Sequence, residues 1–486
     1  MNAKTLLLLP PWSGRNHSLF LGTCDLRSFL VENGIEVEIL DCDVISFAAE
    51  REGLSINETI SSCIKEYAPS FVGIHINTPN YESAIDLAKL AKETLSDAIL
   101  FAGGPHASVA WREILMFHRE IDFVIRGEGE DATLALIQYH VNNKRGNIPP
   151  GVCGRLNGQL VYGGPRTLIQ DSSIPFSDRA ALLDSPFALA NKWAGERYLD
   201  NFYNSVKSFE NRKATNAYIA RGCICNCPYC SPGSFWKDPK THKPCQRIKT
   251  FAKLEKELEY LRSKGFGALY FDEMAMPFYN EPWLKRFASL LNEYDFLWGG
   301  SVIFRHVQGL DLASLAQNGL RYLYFGYETP MQELQHSIRK ETDESDMLLF
   351  LEKANCYGIQ CDLSMFFGSP GETDESILRT IEWLNTNLPR GNAFFSIAAI
   401  WPGTEWAAEL GVYPLYWEPD FDKDSISDKV VWYPHSMTSV GQFFSNSLGT
   451  YHPAFMSEQK ALWIKQMIIE SGFRNRFAKF ARSMKK

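Results

Sequence analysis

The chain has 486 residues, 45% hydrophobic and 22% charged, an ordinary globular balance that excludes a disordered polymer. Its 49 lysines and arginines stand against 57 acidic residues, a net charge of −8, so a large nucleic-acid surface is excluded and no nucleic-acid partner is expected. The length suits about three domains, and no apolar run reaches the ~18 residues of a membrane span.

Residues 1–150 alternate strand-like and helix-like segments. The opening residues carry a leucine run without a small-residue cleavage site, so no signal peptide is expected. Residues 5–10 read as a buried strand that ends at Pro10-Pro11, and 25–32 as a helix stopped by Asn33-Gly34. Strands follow at 35–40, 71–76, 99–102 and 123–126, with a helix over 83–94. Strands separated by ~10–15 helical residues imply βαβ units and a parallel sheet. Residues 151–210 change texture, with Gly-rich pieces among prolines and aromatics, and read as a connector.

The βα rhythm returns over 211–410. Strands are expected at 216–220, 268–271, 298–303, 320–325, 360–366 and 392–400, with helices such as 254–264 and 281–293 between them. Six such units predict a barrel or partial barrel, whose reacting groups belong at the C-terminal strand ends. Residues 411–486 begin aromatic and acidic and end in a basic amphipathic stretch, and read as a small, mainly α C-terminal domain. Such a helix can lie on an anionic membrane, but more often it closes over a neighbouring core. The aromatic pieces 413–421 and 432–435 either line a substrate entrance or pack this domain on the barrel.

The 11 cysteines are informative by position. Four fall between Cys223 and Cys230, too close for a disulfide framework, so a reduced cytoplasm and a metal centre are expected. Cys223, Cys227 and Cys230 satisfy CxxxCxxC, and soft thiolates on one compact loop suit an iron–sulfur cluster or zinc. A closed zinc site usually takes a second ligand pair at a distance; Cys245 is a single candidate and no second CxxC exists. Cys225 lies outside the triplet spacing and reads as a small buried or loop residue.

This loop, with the aromatic Tyr229 before its last cysteine, resembles the signature of the radical S-adenosylmethionine (SAM) superfamily. Further motifs appear in family order: Asp272-Glu273 after the second strand, Ser301 and Arg305 after the third, and Gly326-Tyr327-Glu328-Thr329 after the fourth. Gly368-Ser369-Pro370-Gly371-Glu372-Thr373 and Pro402-Gly403-Thr404 follow the fifth and sixth. The resemblance implies a 4Fe–4S cluster on Cys223, Cys227 and Cys230, and SAM contacts from Tyr229, Asp272, Glu273, Ser301, Arg305 and Glu328. The Asp272-Glu273 segment lacks the two glycines of the family's Gly-Gly-Glu.

Residues 1–150 resemble the cobalamin-binding domain that precedes the barrel in one large radical SAM class. The matching features include Leu9-Pro10-Pro11, Gly103-Gly104-Pro105-His106 and Arg126-Gly127-Glu128-Gly129-Glu130. Cobalamin contacts are thereby implied at Pro11, Gly103, Gly104, His106, Gly127 and Glu128. No histidine has an aspartate two residues earlier, so Asp-x-His-x-x-Gly is absent and a histidine lower ligand to cobalt is not indicated. A Rossmann-like domain that binds nothing is the alternative.

The expectation is an α/β chain: a Rossmann-like doubly wound cobalamin domain, a radical SAM (β/α)6 partial TIM barrel and a small C-terminal domain. The resemblance implies SAM cleavage to a 5′-deoxyadenosyl radical, hydrogen abstraction from an unactivated carbon, and methyl transfer from cobalamin. The implied partners are a small-molecule or peptide substrate and an external electron donor such as flavodoxin or ferredoxin. Cyclisation, ring contraction or rearrangement without net methylation is the alternative within the class. A non-catalytic iron–sulfur or corrinoid carrier is the alternative outside it, although a carrier needs no SAM motifs.

Overall fold

The structure, a computed structural model, describes residues 3–11, 18–142, 146–165, 168–199, 201–231, 235–238, 241–272, 276–387, 393–398 and 401–409, with 459, 460, 463, 464, 466 and 467. The N-terminal sheet has seven strands in the spatial order Glu36–Asp41, Lys4–Leu9, Phe71–His75, Ile99–Gly103, Phe123–Ile125, Val152–Leu156 and Gln159–Tyr162. The first five are parallel. Helices cover both faces of a doubly wound sheet, which is why Leu6 to Leu9 are all buried in succession instead of alternating. Strand order reverses between Lys4–Leu9 and Phe71–His75. Such a switch point opens a crevice at the carboxyl ends of the strands.

The last two strands form an antiparallel hairpin that continues the sheet past residue 150, inside the stretch read as connector. The rest of that stretch touches both domains: Tyr203, Val206 and Phe209 pack on the barrel strands, and one helix returns to the first domain. Its helix Ala188–Leu199 packs against Cys42–Glu52, with Arg197 forked onto Asp43 at 2.9 and 3.1 Å and Tyr198 donating to Asp41 at 2.6 Å.

The second sheet is six parallel strands: Ala214–Ala217, Ala268–Phe271, Leu297–Val302, Leu320–Glu328, Gln360–Phe367 and Ala393–Ile397, adjacent in sequence order. This is an open partial barrel. Its outer core includes Phe271, Trp298, Phe325 and Phe367 against amphipathic helices such as Phe251–Ser263 and Glu281–Glu293. The strand read over 216–220 is in fact two. Ala214–Ala217 belongs to the barrel, whereas Ala220–Cys223 leaves it to pair antiparallel with Cys245–Ile248.

Most of the C-terminal domain lies outside the described residues. Ile464 is fully buried in the barrel core, with Trp463 and Met467 packed beside it, so these positions follow the core-packing alternative. Among the described residues no helix is long and apolar enough to cross a membrane.

Candidate functional site

The ribbon of Ala220–Cys223 and Cys245–Ile248 presents the cysteine loop. Gly222 makes the ribbon possible: its φ is +93°, and a Cβ there would lie 2.1 Å from the carbonyl oxygen of Cys245. Cys223, Cys225 and Cys227 are buried together, with Cys230, Tyr229 and Ile303 packed against them. The Cys225 N–H donates to Cys223 Sγ at 3.4 Å, and Arg305 donates to Cys225 Sγ at 3.5 Å. The Cys223 thiol is lowered by its hydrogen bond with Cys225, whereas Cys225 is pushed up to about 11 by the same bond. Cys245, opposite Cys223 in the ribbon, donates its thiol to the Trp236 carbonyl at 2.9 Å. Among the described residues no three metal-ligating side chains already stand at ligand spacing. What the loop supplies is donor chemistry, three clustered thiols beside an arginine.

Glu328 ends its barrel strand in a left-handed conformation, φ +69°, at a register shift against the next strand. Such a backbone is uncommon for a residue with a Cβ and concentrates at functional sites. Its carboxylate accepts from Lys340 at 2.6 Å, Tyr229 at 3.1 Å and Ser364 at 3.1 Å. Burial opposes the Lys340 charge, but Glu328 holds the ammonium well above its ordinary value. The structure thus joins Tyr229 to Glu328 but places both in a saturated cluster with Lys340 and Ser364. Neither of those was legible in the sequence, because they come from other units with no motif of their own.

Ser301 shares a hydrogen bond with Tyr270 at 2.8 Å, one strand away. Asp272 accepts from Tyr203 at 2.9 Å, and enclosure by protein raises its carboxyl. Glu273 lies outside the described residues.

A cavity of about 350 Å³ lies between the carboxyl edge of the N-terminal sheet and the ribbon. Leu7, Gly73, His75, Gly103, Gly104 and Gly127 form its floor; Tyr218, Gly222, Trp236 and Asp272 face them from the barrel side. Gly104 has φ +111°, and a Cβ there would meet the Ile76 carbonyl at 2.7 Å. Thr133 and Tyr218 also line it, but their hydroxyl oxygens are buried away from its open space and have no hydrogen-bond partner among the described residues. A Cβ on Gly22, also in the wall, would meet nothing within 4 Å. The bare backbone at Gly22 and Gly103, with the apolar side chains around it, offers the kind of open face on which a flat ligand such as a corrin would lie.

Two expected contacts stand off this wall. The Pro11 carbonyl accepts from Ser83, and His106 is buried behind the wall with Nδ1 2.9 Å from Thr78 Oγ1. Burial pushes the His106 imidazole down to about 4. His75, unremarked in the sequence, lines the cavity instead because it ends the third strand at the switch point.

Comparison with known proteins agrees with this arrangement. Residues 21–137 match the B12 binding domain and residues 218–384 match the radical SAM superfamily domain. The chain belongs to the cobalamin-dependent radical SAM family. Its cofactors are a 4Fe–4S cluster, SAM and cobalamin, and it is a radical SAM enzyme. It is 24% identical over 459 residues to an anaerobic magnesium-protoporphyrin IX monomethyl ester cyclase of Rubrivivax gelatinosus, covering 90% of this chain and 77% of that protein. It is 24% identical over 413 residues to an uncharacterized methyltransferase of Pyrococcus horikoshii, covering 82% of each. Its fold is similar to that of the radical SAM methyltransferase TsrM from Kitasatospora setae with cobalamin and a [4Fe–4S] cluster bound. There the TM-score is 0.62 at 16% identity, with 85% of this chain and 75% of that one covered.

Buried ion pairs join the two domains of this radical SAM enzyme. Glu128 takes the fork of Arg247 at 2.7 and 3.0 Å, accepts from the Ile169 N–H at 2.9 Å, and lies 3.5 Å from Arg221. Against the penalty of burial, Arg247 and Arg221 hold its carboxyl below the usual range. Arg221 also binds Glu130 and Asp25, the latter at 2.7 Å. Glu128, expected at the corrin, does line the cavity, and both its oxygens also accept hydrogen bonds from Arg247.

Proposed function

We propose that the enzyme is a C-methyltransferase acting on an unactivated carbon of a biosynthetic intermediate, either a small molecule or a peptide. A single observation carries this reading: one cavity touches both the glycine edge of the B12-binding sheet and the ribbon that leads into Cys223. When bound, the cluster with SAM supplies a reductively generated radical, and cobalamin supplies a transferable methyl group.

The residues do the positioning. Cys223, Cys227 and Cys230 would hold the cluster, with Arg305 donating to Cys225 in the same loop. Tyr229 and Lys340 hold the Glu328 carboxylate in one orientation at the strand end, where SAM contacts are expected. Tyr203 fixes the Asp272 carboxylate in the cavity wall. Leu7, Phe101 and Trp236 make the wall mainly apolar, which limits water around a reactive carbon. Electrons would come from an external donor such as flavodoxin or ferredoxin. The Pyrococcus relative, named a methyltransferase, supports this reading.

The Rubrivivax relative, named a cyclase and matched over 90% of this chain, favours a second reading, ring formation without net methylation. SAM labelled on its methyl group separates them in the reconstituted, reduced enzyme. Methylation gives labelled product with 5′-deoxyadenosine and S-adenosylhomocysteine in near-equal amounts. Unlabelled product of unchanged carbon count, formed with 5′-deoxyadenosine alone, would replace methylation by the cyclase reading.

A further inference from the structure

We propose that Glu128 and Glu130 are positioning residues: the Gly127-Glu128-Gly129-Glu130 turn registers the cobalamin domain on the cluster-bearing ribbon through Arg247 and Arg221. The two arginines are cross-strand partners, directly opposite each other in that ribbon. One fork is filled by Glu128 and the other by Glu130 and Asp25, so a single turn grips both strands. Arg221 is two residues from Cys223, and any displacement of the grip passes straight into the cluster loop.

The grip continues into the connector. Asp25 accepts from Ser177 Oγ, which accepts from Lys249, which pairs with Glu257, which also meets Arg179. Four carboxylates (Asp25, Glu128, Glu130, Glu257) face four cations (Arg179, Arg221, Arg247, Lys249), and none is more than 11% exposed. Buried pairs like these add little net stability over apolar packing, whereas an unpartnered member is strongly unfavourable. The chain of charges therefore selects one seating of the two domains and penalises every neighbouring one. A glue would not need this balance; a register does.

Arg247 is the discriminating residue, because it is not in the cavity wall and is poorly placed to contact a corrin itself. Glu128→Gln, Arg247→Met and the double variant are compared with the wild type as cluster-loaded proteins. If the turn acts through the arginines, both single variants keep about four irons per chain. Both also broaden the magnetic interaction between cob(II)alamin and the reduced cluster, and weaken hydroxocobalamin binding by about tenfold, with the double variant no worse than either. In the cofactor-free proteins, amide exchange of Ala220–Cys223 rises in both. The corrinoid arm depends on cobalamin binding; the exchange arm does not. Weakened binding in Glu128→Gln alone would make Glu128 a direct corrin contact and overturn the proposal. Unchanged exchange together with an undisturbed magnetic interaction would overturn it as well. If Arg247→Met does not accumulate folded, Arg247→Lys keeps the charge and loses the fork, and the same comparison is read on it.

Discussion

Two glycines in the cavity region separate ligand space from backbone strain. Gly22 sits in the first turn of Leu21–Glu32, and a side chain there enters open cavity, since a Cβ meets nothing within 4 Å. Gly22→Leu removes a poor helix former, which favours the fold by up to ~1 kcal/mol, so stability does not fall. The same side chain occupies space in the proposed corrin site. Forcing a ligand to repack around extra methylenes costs about 1–3 kcal/mol, or ~10–100-fold in affinity. Gly104→Ala is the opposite case. At φ +111°, ψ 173°, its backbone is accessible almost only to glycine, and the new Cβ presses on the Ile76 carbonyl at 2.7 Å. That variant loses about 1–3 kcal/mol from strain alone, with or without ligand. Spectral titration with hydroxocobalamin and thermal melts of the apoprotein measure the two effects. Wild-type corrinoid affinity in Gly22→Leu would refute the placement of cobalamin in this cavity.

Cys223→Ala, Cys227→Ala and Cys230→Ala should each abolish SAM cleavage and lower the iron content from about four per chain, while Cys225→Ala keeps both; iron and sulfide analysis checks this. Lys340→Met leaves the buried Glu328 carboxylate without its cation and should destabilise the barrel by about 3–5 kcal/mol, with partial recovery in Lys340→Met/Glu328→Gln on denaturant titration. His106 is buried neutral, with its pKa lowered from 6.5 to about 4. The unfolded chain therefore binds the extra proton first. The stability contributed by neutral His106 is complete above pH ~6.5 and is lost, by about 3 kcal/mol, as pH falls toward ~4. His106→Gln should flatten that limb of a stability–pH curve.

Periodicity was enough to locate most of the fold. Buried runs such as Leu6–Leu9 mark parallel strands covered on both faces, and 268–271 and 281–293 coincide with their observed elements. The cysteine loop was legible because three soft donors at fixed spacing have few other uses. The hairpin over 152–162 was not, since its strands are only five and four residues long and the second is partly exposed, and the first declares itself only by pairing with Phe123–Ile125. Nor were the partners of Glu128 and Glu328. Arg247 lies 119 residues from Glu128, and nothing local to either marks the pair. A motif glutamate reads the same in the sequence whether or not distant cations also hold it.

The hairpin and the connector helix also bear on self-association. A parallel sheet that ended at Phe123–Ile125 would offer a row of unpaired backbone groups to any neighbouring chain. Here Val152–Leu156 takes up that row, and the hairpin then closes in a strand of only four residues, Gln159–Tyr162. At the far side, Arg27 Nε occupies the Val37 carbonyl at 3.0 Å, and Tyr198 caps the end of Glu36–Asp41 through Asp41. The hairpin thus blunts one rim of the sheet as a template for strand addition, and Arg27 takes one carbonyl of the other, which guards the cobalamin domain against edge-to-edge aggregation.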